Sequence, residues 1–500
     1  MNKLPLRFSG ALICGALLIS GAALPTAGLV AGVNAHPTFY RTFRPPNING
    51  FASAQAENVI ATRDGGVLGI GRNSSTDPAH PGVYNHLGWL IKLAPDGSRQ
   101  WEHTYFIDAS DPGITHSLVL HYAAQLPDAG FLVLGGVSQK KGALWLLRTD
   151  AAGAPQSLRR IGLGMSLIPD SIVPAASDGA LIFFRKIGED ITRPTAAPVL
   201  LRVNSAGAVI WQRQLGAASG DVLNDAVALP DGGFLVAGGH TPPGAVSPWL
   251  SQSFLARLDS SGGIVWQKSL SGTLACIRID RIVALPDGSY MAALYLGNRV
   301  AFARLAADGT LLTVKTYQPD LGPYDYIIVR TFGLIRRADA TLVALVDVVG
   351  ARRSFNQPIP SFSYSSHIIK IDTAGTQLWH KSISDTVPFQ SMAAFGGGQL
   401  MVGSYSGSGG AHFLATDSVG EVDDSCSIPE DSSYPEVAMT YTAVTTTLAS
   451  TVSAVDIVEV SVTATNLGST ETGICTGVIP PTPTADPRLT QKIYLPLARR

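Results

Sequence analysis

The sequence predicts an all-β chain built as a seven-bladed β-propeller of four-stranded antiparallel blades, with a small C-terminal β appendage. Three observations carry the prediction: a turn motif that recurs seven times, a second turn after each copy, and strand-like apolar segments between them. The motif is clearest at Leu229-Pro-Asp-Gly-Gly-Phe-Leu-Val-Ala-Gly-Gly. It returns as Leu126-Pro-Asp-Ala-Gly-Phe-Leu-Val-Leu-Gly-Gly and Leu285-Pro-Asp-Gly-Ser-Tyr. The turn residues Asp64, Asp128, Asp178, Asp231, Asp287, Asp339 and Gly396 are 64, 50, 53, 56, 52 and 57 positions apart, a spacing that suits one blade with its loops.

The second turn has its glycine at Gly97, Gly153, Gly207, Gly262, Gly309, Gly375 and Gly420, usually with Asp or Asn three residues earlier. Glycine supplies positive φ and Asp bonds locally to the backbone, so such segments join adjacent antiparallel strands. Two tight turns per unit imply two hairpins. The second strand of a unit is continuously apolar, as in Phe234-Leu-Val-Ala, which predicts burial on both faces between neighbouring blades. The third strand repeats a basic residue at one register, in Leu90-Ile-Lys-Leu, Leu146-Leu-Arg-Thr, Leu200-Leu-Arg-Val, Leu255-Ala-Arg-Leu, Phe302-Ala-Arg-Leu and Ile368-Ile-Lys-Ile, until Ala415 breaks the series. The fourth strand often carries a Trp four residues after the glycine: Trp101, Trp211, Trp266 and Trp379. A solenoid has fewer residues per coil and no pair of hairpin turns per repeat, which favours the closed ring.

The seventh unit lacks a convincing fourth strand, because Glu421-Val-Asp-Asp-Ser is too polar. The segment His36-Pro-Thr-Phe-Tyr-Arg-Thr-Phe matches the pattern of Trp266-Gln-Lys-Ser-Leu, so residues 36–46 are expected to close the ring.

Composition excludes several functions. The 500 residues include 52 Gly and 32 Pro, are 15% charged and carry a net charge of -1. Wrapping a polyanion needs clustered Lys and Arg, so no nucleic-acid partner is expected. Residues 1–35 read as an export signal: Lys3 and Arg7 precede the apolar run Ala11 to Leu24, and Val33-Asn34-Ala35 offers small residues before His36. A secreted or cell-surface location follows. In that oxidising setting Cys426 and Cys475 are expected to pair, which would stabilise the fold by about 4 kcal/mol in the chain-entropy model. Cys276, in Leu274-Ala-Cys-Ile, reads as a small buried hydrophobe.

After the propeller (residues 36–425) the Thr- and Val-rich stretch 426–479 is expected to form the appendage. Pro480-Pro-Thr-Pro-Thr-Ala-Asp-Pro then reads as an extended linker. The tail Ile493-Tyr-Leu-Pro-Leu-Ala-Arg-Arg resembles a short ending of secreted proteins of filamentous green bacteria, which implies an address or a surface tether. It lacks the Leu-Pro-x-Thr-Gly of sortase signals. The unit Leu258-Asp-Ser-Ser-Gly-Gly-Ile-Val-Trp, coupled to Leu229-Pro-Asp-Gly-Gly, resembles the secreted propeller repeats of the quinoprotein dehydrogenase-like superfamily over about three-quarters of the chain. That resemblance speaks for the fold and little for chemistry. Enzymes of the superfamily use adjacent cysteines and calcium ligands around the quinone, and here there are no adjacent cysteines, so no cofactor is expected.

Features that recur once per blade read as scaffold, so function is expected where the symmetry breaks. Both tight turns of a blade lie on one face of the ring, which leaves the long connections on the other. Those include 73–88, 189–198, 241–252 and 351–367, with 107–118 and 318–329 between blades. They carry Tyr84, Trp249, Tyr324, Tyr326, Arg352, Arg353, Phe355, Phe362 and Tyr364, aromatic and Arg side chains suited to capturing an extracellular protein or glycan. Asp77, His80 and His86 share a loop, yet their spacing fits no zinc or calcium pattern, so no metal site is expected. The pairs Asp108 with Asp111 and Glu189 with Asp190 would serve acid-base hydrolysis only if they faced each other across the pore. Non-catalytic binding is therefore the leading expectation. A carbohydrate-active hydrolase or lyase, or a degenerate quinoprotein, using the central funnel is the alternative.

Overall fold

The computed structural model describes residues 37–44, 52–76, 84–107, 118–136, 143–162, 166–187, 198–216, 221–240, 252–272, 278–319, 326–352, 361–383, 388–404, 410–422, 430–431, 439, 441–445, 450–451, 457–460, 462–465 and 470–478. These residues contain no helix. The chain forms seven antiparallel blades of four strands each, taken in chain order. Blade 1 spans 52–107, blade 2 119–161, blade 3 166–215, blade 4 222–272, blade 5 278–317 and blade 6 326–383. Blade 7 takes three strands from 389–416 and its fourth from Pro37–Arg44. The first strands of successive blades touch one another all round the ring, so they surround its axis and the fourth strands form its rim.

Each tight turn explains its own residues. In blade 4 the Leu229 amide donates to the Gly233 carbonyl at 2.9 Å, and Asp231 Oδ1 accepts the Gly233 amide at 3.0 Å. The remaining oxygen of the turn Asp meets the basic residue of the third strand. Lys92 reaches Asp64 at 2.8 Å, Arg257 reaches Asp231 at 2.5 Å and Lys370 reaches Asp339 at 3.1 Å, and Arg148 and Arg304 pair likewise with Asp128 and Asp287. Blade 7 has Gly396 and Ala415 in these places, so both halves of the lock are missing together. The carboxylates of these pairs are about half exposed, so solvent screens each pair to about 1 kcal/mol or less.

Second strands alternate between two cores. In blade 4, Phe234 and Val236 pack toward blade 3, and Leu235 and Ala237 toward blade 5. Among the described residues seven apolar clusters stand one at each junction between blades. The cluster joining blades 7 and 1 contains Phe39 and Phe43 of the closing strand, both with no exposed surface. Phe39 fills the place that tryptophan fills in other blades. Trp101 and Trp211 lie against Gly153 and Gly262 of the next blade, and Phe39 lies against Gly97, whose φ of +77° suits glycine alone. A Cβ at Gly97 would stand 2.6 Å from the Phe39 ring. Arg41 then donates to the Gly97 carbonyl at 2.7 Å.

The described strands of the Thr- and Val-rich stretch after residue 426 lie along the rim of the ring. They join the outer strands of the blades one after another, each antiparallel. Glu430–Asp431 pairs with Gln377–Ile383 of blade 6, and Tyr441–Thr445 with Ile264–Gly272 of blade 4. Ser450–Thr451 pairs with Val209–Leu215 of blade 3, Ile457–Val460 with Pro155–Ile161 of blade 2, and Val462–Thr465 with Arg99–Ile107 of blade 1. Thr470–Val478 ends the run on Pro37–Arg44 of blade 7. The described strands of this segment form a belt that meets the blades in the order 6, 4, 3, 2, 1, 7. Between blades 6 and 4, Met439 Sδ accepts from Arg299 of blade 5 at 3.4 Å. Among the described residues the outer strand of blade 5, Leu311–Tyr317, has no fifth partner. Belt strands cover rim edges whose free N–H and C=O groups would otherwise recruit other chains. The expected export signal at 1–35 and the linker and tail at 480–500 lie outside the described residues.

Candidate functional site

Every first strand carries a β-bulge at the same place. The register shifts between Ala56 and Asn58, Leu120 and Tyr122, Pro169 and Ser171, Leu223 and Asp225, Ile279 and Arg281, Thr331 and Gly333, and Phe389 and Ser391. The extra residues are Glu57, His121, Asp170, Asn224, Asp280, Phe332 and Gln390. In blades 2, 4 and 5 the extra residue is the third of its strand, at the end where the long connections arrive.

A bulge leaves backbone groups out of the ladder, and buried backbone groups need partners. At three junctions a side chain from the neighbouring blade supplies one. Between blades 4 and 5, Asp225 Oδ2 accepts the Ile282 amide at 2.9 Å and Asn224 donates to the Ile279 carbonyl at 2.8 Å. Asp280 Oδ2 accepts the Thr331 amide of blade 6 at 3.1 Å, and Arg281 Nε donates to the Phe332 carbonyl at 3.0 Å. Ser391 of blade 7 accepts the Val59 amide of blade 1 at 3.3 Å and donates to Asn58. These carboxylates and amides are scaffold.

Blades 1 to 3 depart from that pattern. Asp170 is held by Arg185, whose Nε donates to both its oxygens at 2.8 and 3.0 Å. Glu57 stands 3.7 Å from His121 Nδ1 and 3.9 Å from Arg72 Nε. The Glu57 and His121 side chains are 26% and 27% exposed, so solvent reaches them. Burial pushes Asp170 up to about 6 against the pull of Arg185. Burial also works to raise Glu57, but His121 and Arg72 outweigh it and hold the carboxyl below its ordinary value. Tyr122 is pushed up to about 12, by burial first and then by Asp170 and Glu57, with Arg281 and Arg185 opposing. One hydroxyl thus feels charges from blades 1, 3 and 5. Blades 2 and 5 stand across the ring from each other, so this cluster gathers at the central channel.

No protein-family model matches the chain. No curated protein matches it. The chain is similar in fold to the β-propeller domain of Cps50 (Swd1) from Myceliophteria thermophila, with 8% identity, a TM-score of 0.40, and 73% of this chain and 100% of that one covered. It is also similar to a protein of unknown function from Dyadobacter fermentans, with 11% identity, a TM-score of 0.34, and coverage of 75% and 98%. The mannose phosphorylase MPT-4 from Leishmania mexicana gives 12% identity, a TM-score of 0.31, and coverage of 55% and 90%. Blade number and order rest on the strand pairing, not on these likenesses.

The loop residues singled out in the sequence fall mostly at the edges of the described regions. Trp249, Tyr324, Arg353 and Phe355 lie outside them, as do Asp77, His80, Asp108, Asp111, Glu189 and Asp190. Tyr84 opens a strand (Tyr84–Leu93), Tyr326 opens Tyr326–Arg336, and Arg352 ends Leu342–Arg352. The expected loop 351–367 is shorter than predicted, because Ser361–Ile371 is a strand paired across its whole length with Leu342–Arg352. Tyr364 therefore sits on a blade, opposite Val349, with 46% of its surface exposed. Of the proposed disulfide, Cys475 lies opposite Tyr40 in the belt, and Cys426 lies outside the described residues. Among the described residues no group of His, Cys, Asp and Glu is placed to hold a metal ion.

The channel residues were legible in principle. Glu57, His121, Asn224, Asp280 and Phe332 each precede their turn residue by seven positions, and Asp170 and Gln390 by eight and six. The tight-turn face also has a cleft of about 320 Å³ lined by Arg148, Gln156, Ser157, Arg159, Ser205 and Ala206. Arg148 and Arg159 are already spent there on the Ser205 and Gly207 carbonyls, which marks the cleft as scaffold.

Asp347 is a further anomaly, a lone carboxylate in the apolar strand Leu342–Arg352. It is 4% exposed, and its enclosed Oδ1 meets no donor among the described residues. Burial pushes its pKa up to about 7, although Arg330 pulls it down. The neutral form is therefore favoured in the fold. Its contribution to stability is full below the ordinary carboxylate range and is lost as the pH rises from there through about 7. Asp347→Asn is expected to match the native chain in urea near pH 4 and to exceed it at pH 8, by up to about 4 kcal/mol at 1.36 kcal/mol per pK unit. Equal urea midpoints at pH 8 would show that the carboxylate has an ionic partner.

Proposed function

We propose that the chain is a secreted or surface-displayed, non-catalytic propeller that binds an extracellular protein or glycan on the face of the long connections, around the mouth of the channel. One observation carries the reading. The side chains at the bulges that bond a neighbouring blade's backbone at the junctions of blades 4 with 5, 5 with 6 and 7 with 1 give way between blades 1, 2 and 3 to Glu57, His121, Tyr122 and Asp170, which interact with one another and with Arg72 and Arg185 and make no such backbone bond among the described residues. Side chains released from a structural duty in a repeat are where function is expected. The export signal and the tail support placement at the cell surface, with the tail as tether.

The test is a glycan and surface-protein binding screen with residues 36–478, so that the belt is kept. Capture of one ligand, lost when the connections around 77–83, 188–197, 241–251 and 353–360 are replaced by short turns while melting stays intact, is the expected result. Capture that survives all four replacements would move the site off this face.

A second reading is an extracellular hydrolase or lyase in the funnel. It is favoured by the contrast between Asp170, pushed up to about 6, and Glu57, held below its ordinary value. Carboxyls whose environments push their proton affinities apart can divide acid from base where a substrate reaches both. Turnover of a bound oligosaccharide would favour this reading over simple binding.

A further inference from the structure

We propose that the channel between blades 1, 2 and 3 is a binding site for a neutral sugar residue, contacted by Glu57, His121 and Tyr122, with Asp170 held by Arg185 at its edge. The inference rests on the channel mouth being the ligand face, and it selects glycan over protein as the ligand.

The charges of the cluster are already matched. Arg185 is committed to both oxygens of Asp170, and Arg72 and His121 flank Glu57. Arg281 donates to the carbonyls of Phe332, Asn224 and Asp280. A cationic or anionic ligand would have to break one of these arrangements and leave a charge uncompensated, at a cost that binding has to recover. A hydroxyl group asks for no such exchange, because it donates to a carboxylate and accepts from an N–H at the same time.

Hydrogen-bonding capacity also remains unspent. Glu57 lies 3.7 Å from His121 Nδ1, its one weak hydrogen-bonding neighbour, and 3.9 Å from Arg72 Nε, so its remaining lone pairs are open to closer donors. The Tyr122 hydroxyl has no hydrogen-bond partner among the described residues, although four carboxylate or guanidinium groups from other blades act on it. The His121 and Tyr122 rings stand 6.2 Å apart at 36°, two flat ring faces of which the phenol suits the C–H face of a pyranose. Partly dry aromatic walls with a few convergent polar groups are what a small-molecule site requires.

The test uses the full secreted chain and a panel of neutral mono- and oligosaccharides observed by saturation-transfer difference NMR, with titration of any that bind. At least one saccharide is expected to bind, and Glu57→Gln and Tyr122→Phe are each expected to weaken it tenfold or more. Asp347→Asn, remote from the cluster, is expected to leave it unchanged. Circular dichroism melts confirm that each variant is folded, and Glu57→Asp serves as a second variant should Glu57→Gln fail to fold. Saccharide binding that is indifferent to Glu57 and Tyr122 overturns the channel site but leaves the ligand face standing. No saccharide binding, with a protein captured in the screen above, overturns the choice of glycan. Neither kind of ligand in either experiment overturns both.

Discussion

Removal of residues 36–46 is expected to abolish the cooperative melting transition of the whole ring. The strand Pro37–Arg44 is not an edge: it lies between Ala411–Thr416 on one side and Thr470–Val478 on the other, so its loss strips two partners at once. It also brings Phe39, Phe43 and Tyr40 into the junctions on either side of blade 7. Truncating one buried aromatic costs about 3–5 kcal/mol. Three together approach the 5–15 kcal/mol that typically holds a folded protein.

A milder variant keeps this claim testable if the deletion is not recovered folded. Phe43 meets the Phe413 ring edge-on with centroids 5.1 Å apart. Phe43→Ala should cost about 3–5 kcal/mol and lower the melting temperature by on the order of 10 °C. A deletion that melts like the native chain would show that blade 7 closes without its fourth strand.

Truncation after residue 425 is the second large effect. It removes the fifth strand from blades 1, 2, 3, 4, 6 and 7 together, including the partner of the closing strand. The rim strands of those blades would then present unpaired N–H and C=O groups, the condition under which sheets recruit further chains. The truncated chain is expected to associate at micromolar concentration by light scattering. Its amides in Arg99–Ile107, Val209–Leu215 and Ile264–Gly272 are expected to exchange faster with deuterium than in the full chain. A monodisperse truncated chain with unchanged exchange would show that the belt contributes nothing to the rim.

Of the expected cysteine pair, Cys426 lies outside the described residues. Cys475 lies opposite Tyr40, and Val422, four residues before Cys426, is buried in the same cluster as Tyr40. A Cys426–Cys475 bond would close a loop that contains the described rim strands from Glu430–Asp431 onward. A non-reduced peptide map is expected to recover the two cysteines in one species.

By itself the sequence determined the blade. The Asp-Gly turns, the glycine of the second turn and the apolar second strands are local devices, each readable within about a dozen residues, and their repetition set both the number of blades and their order. The paired loss of the turn Asp and the basic residue in the seventh copy was legible for the same reason, since both belong to one lock. What tertiary structure decided depends on residues far apart in the chain. Thr and Val alternation states that 441–465 forms strands, but only the free outer edges of the blades determine where those strands pair, because an edge accepts any extended chain that reaches it. The channel cluster is of the same kind. Glu57, His121 and Asp170 occupy one register of the repeat and look like scaffold when read singly, and closing the ring is what brings blades 1, 2, 3 and 5 to a single hydroxyl.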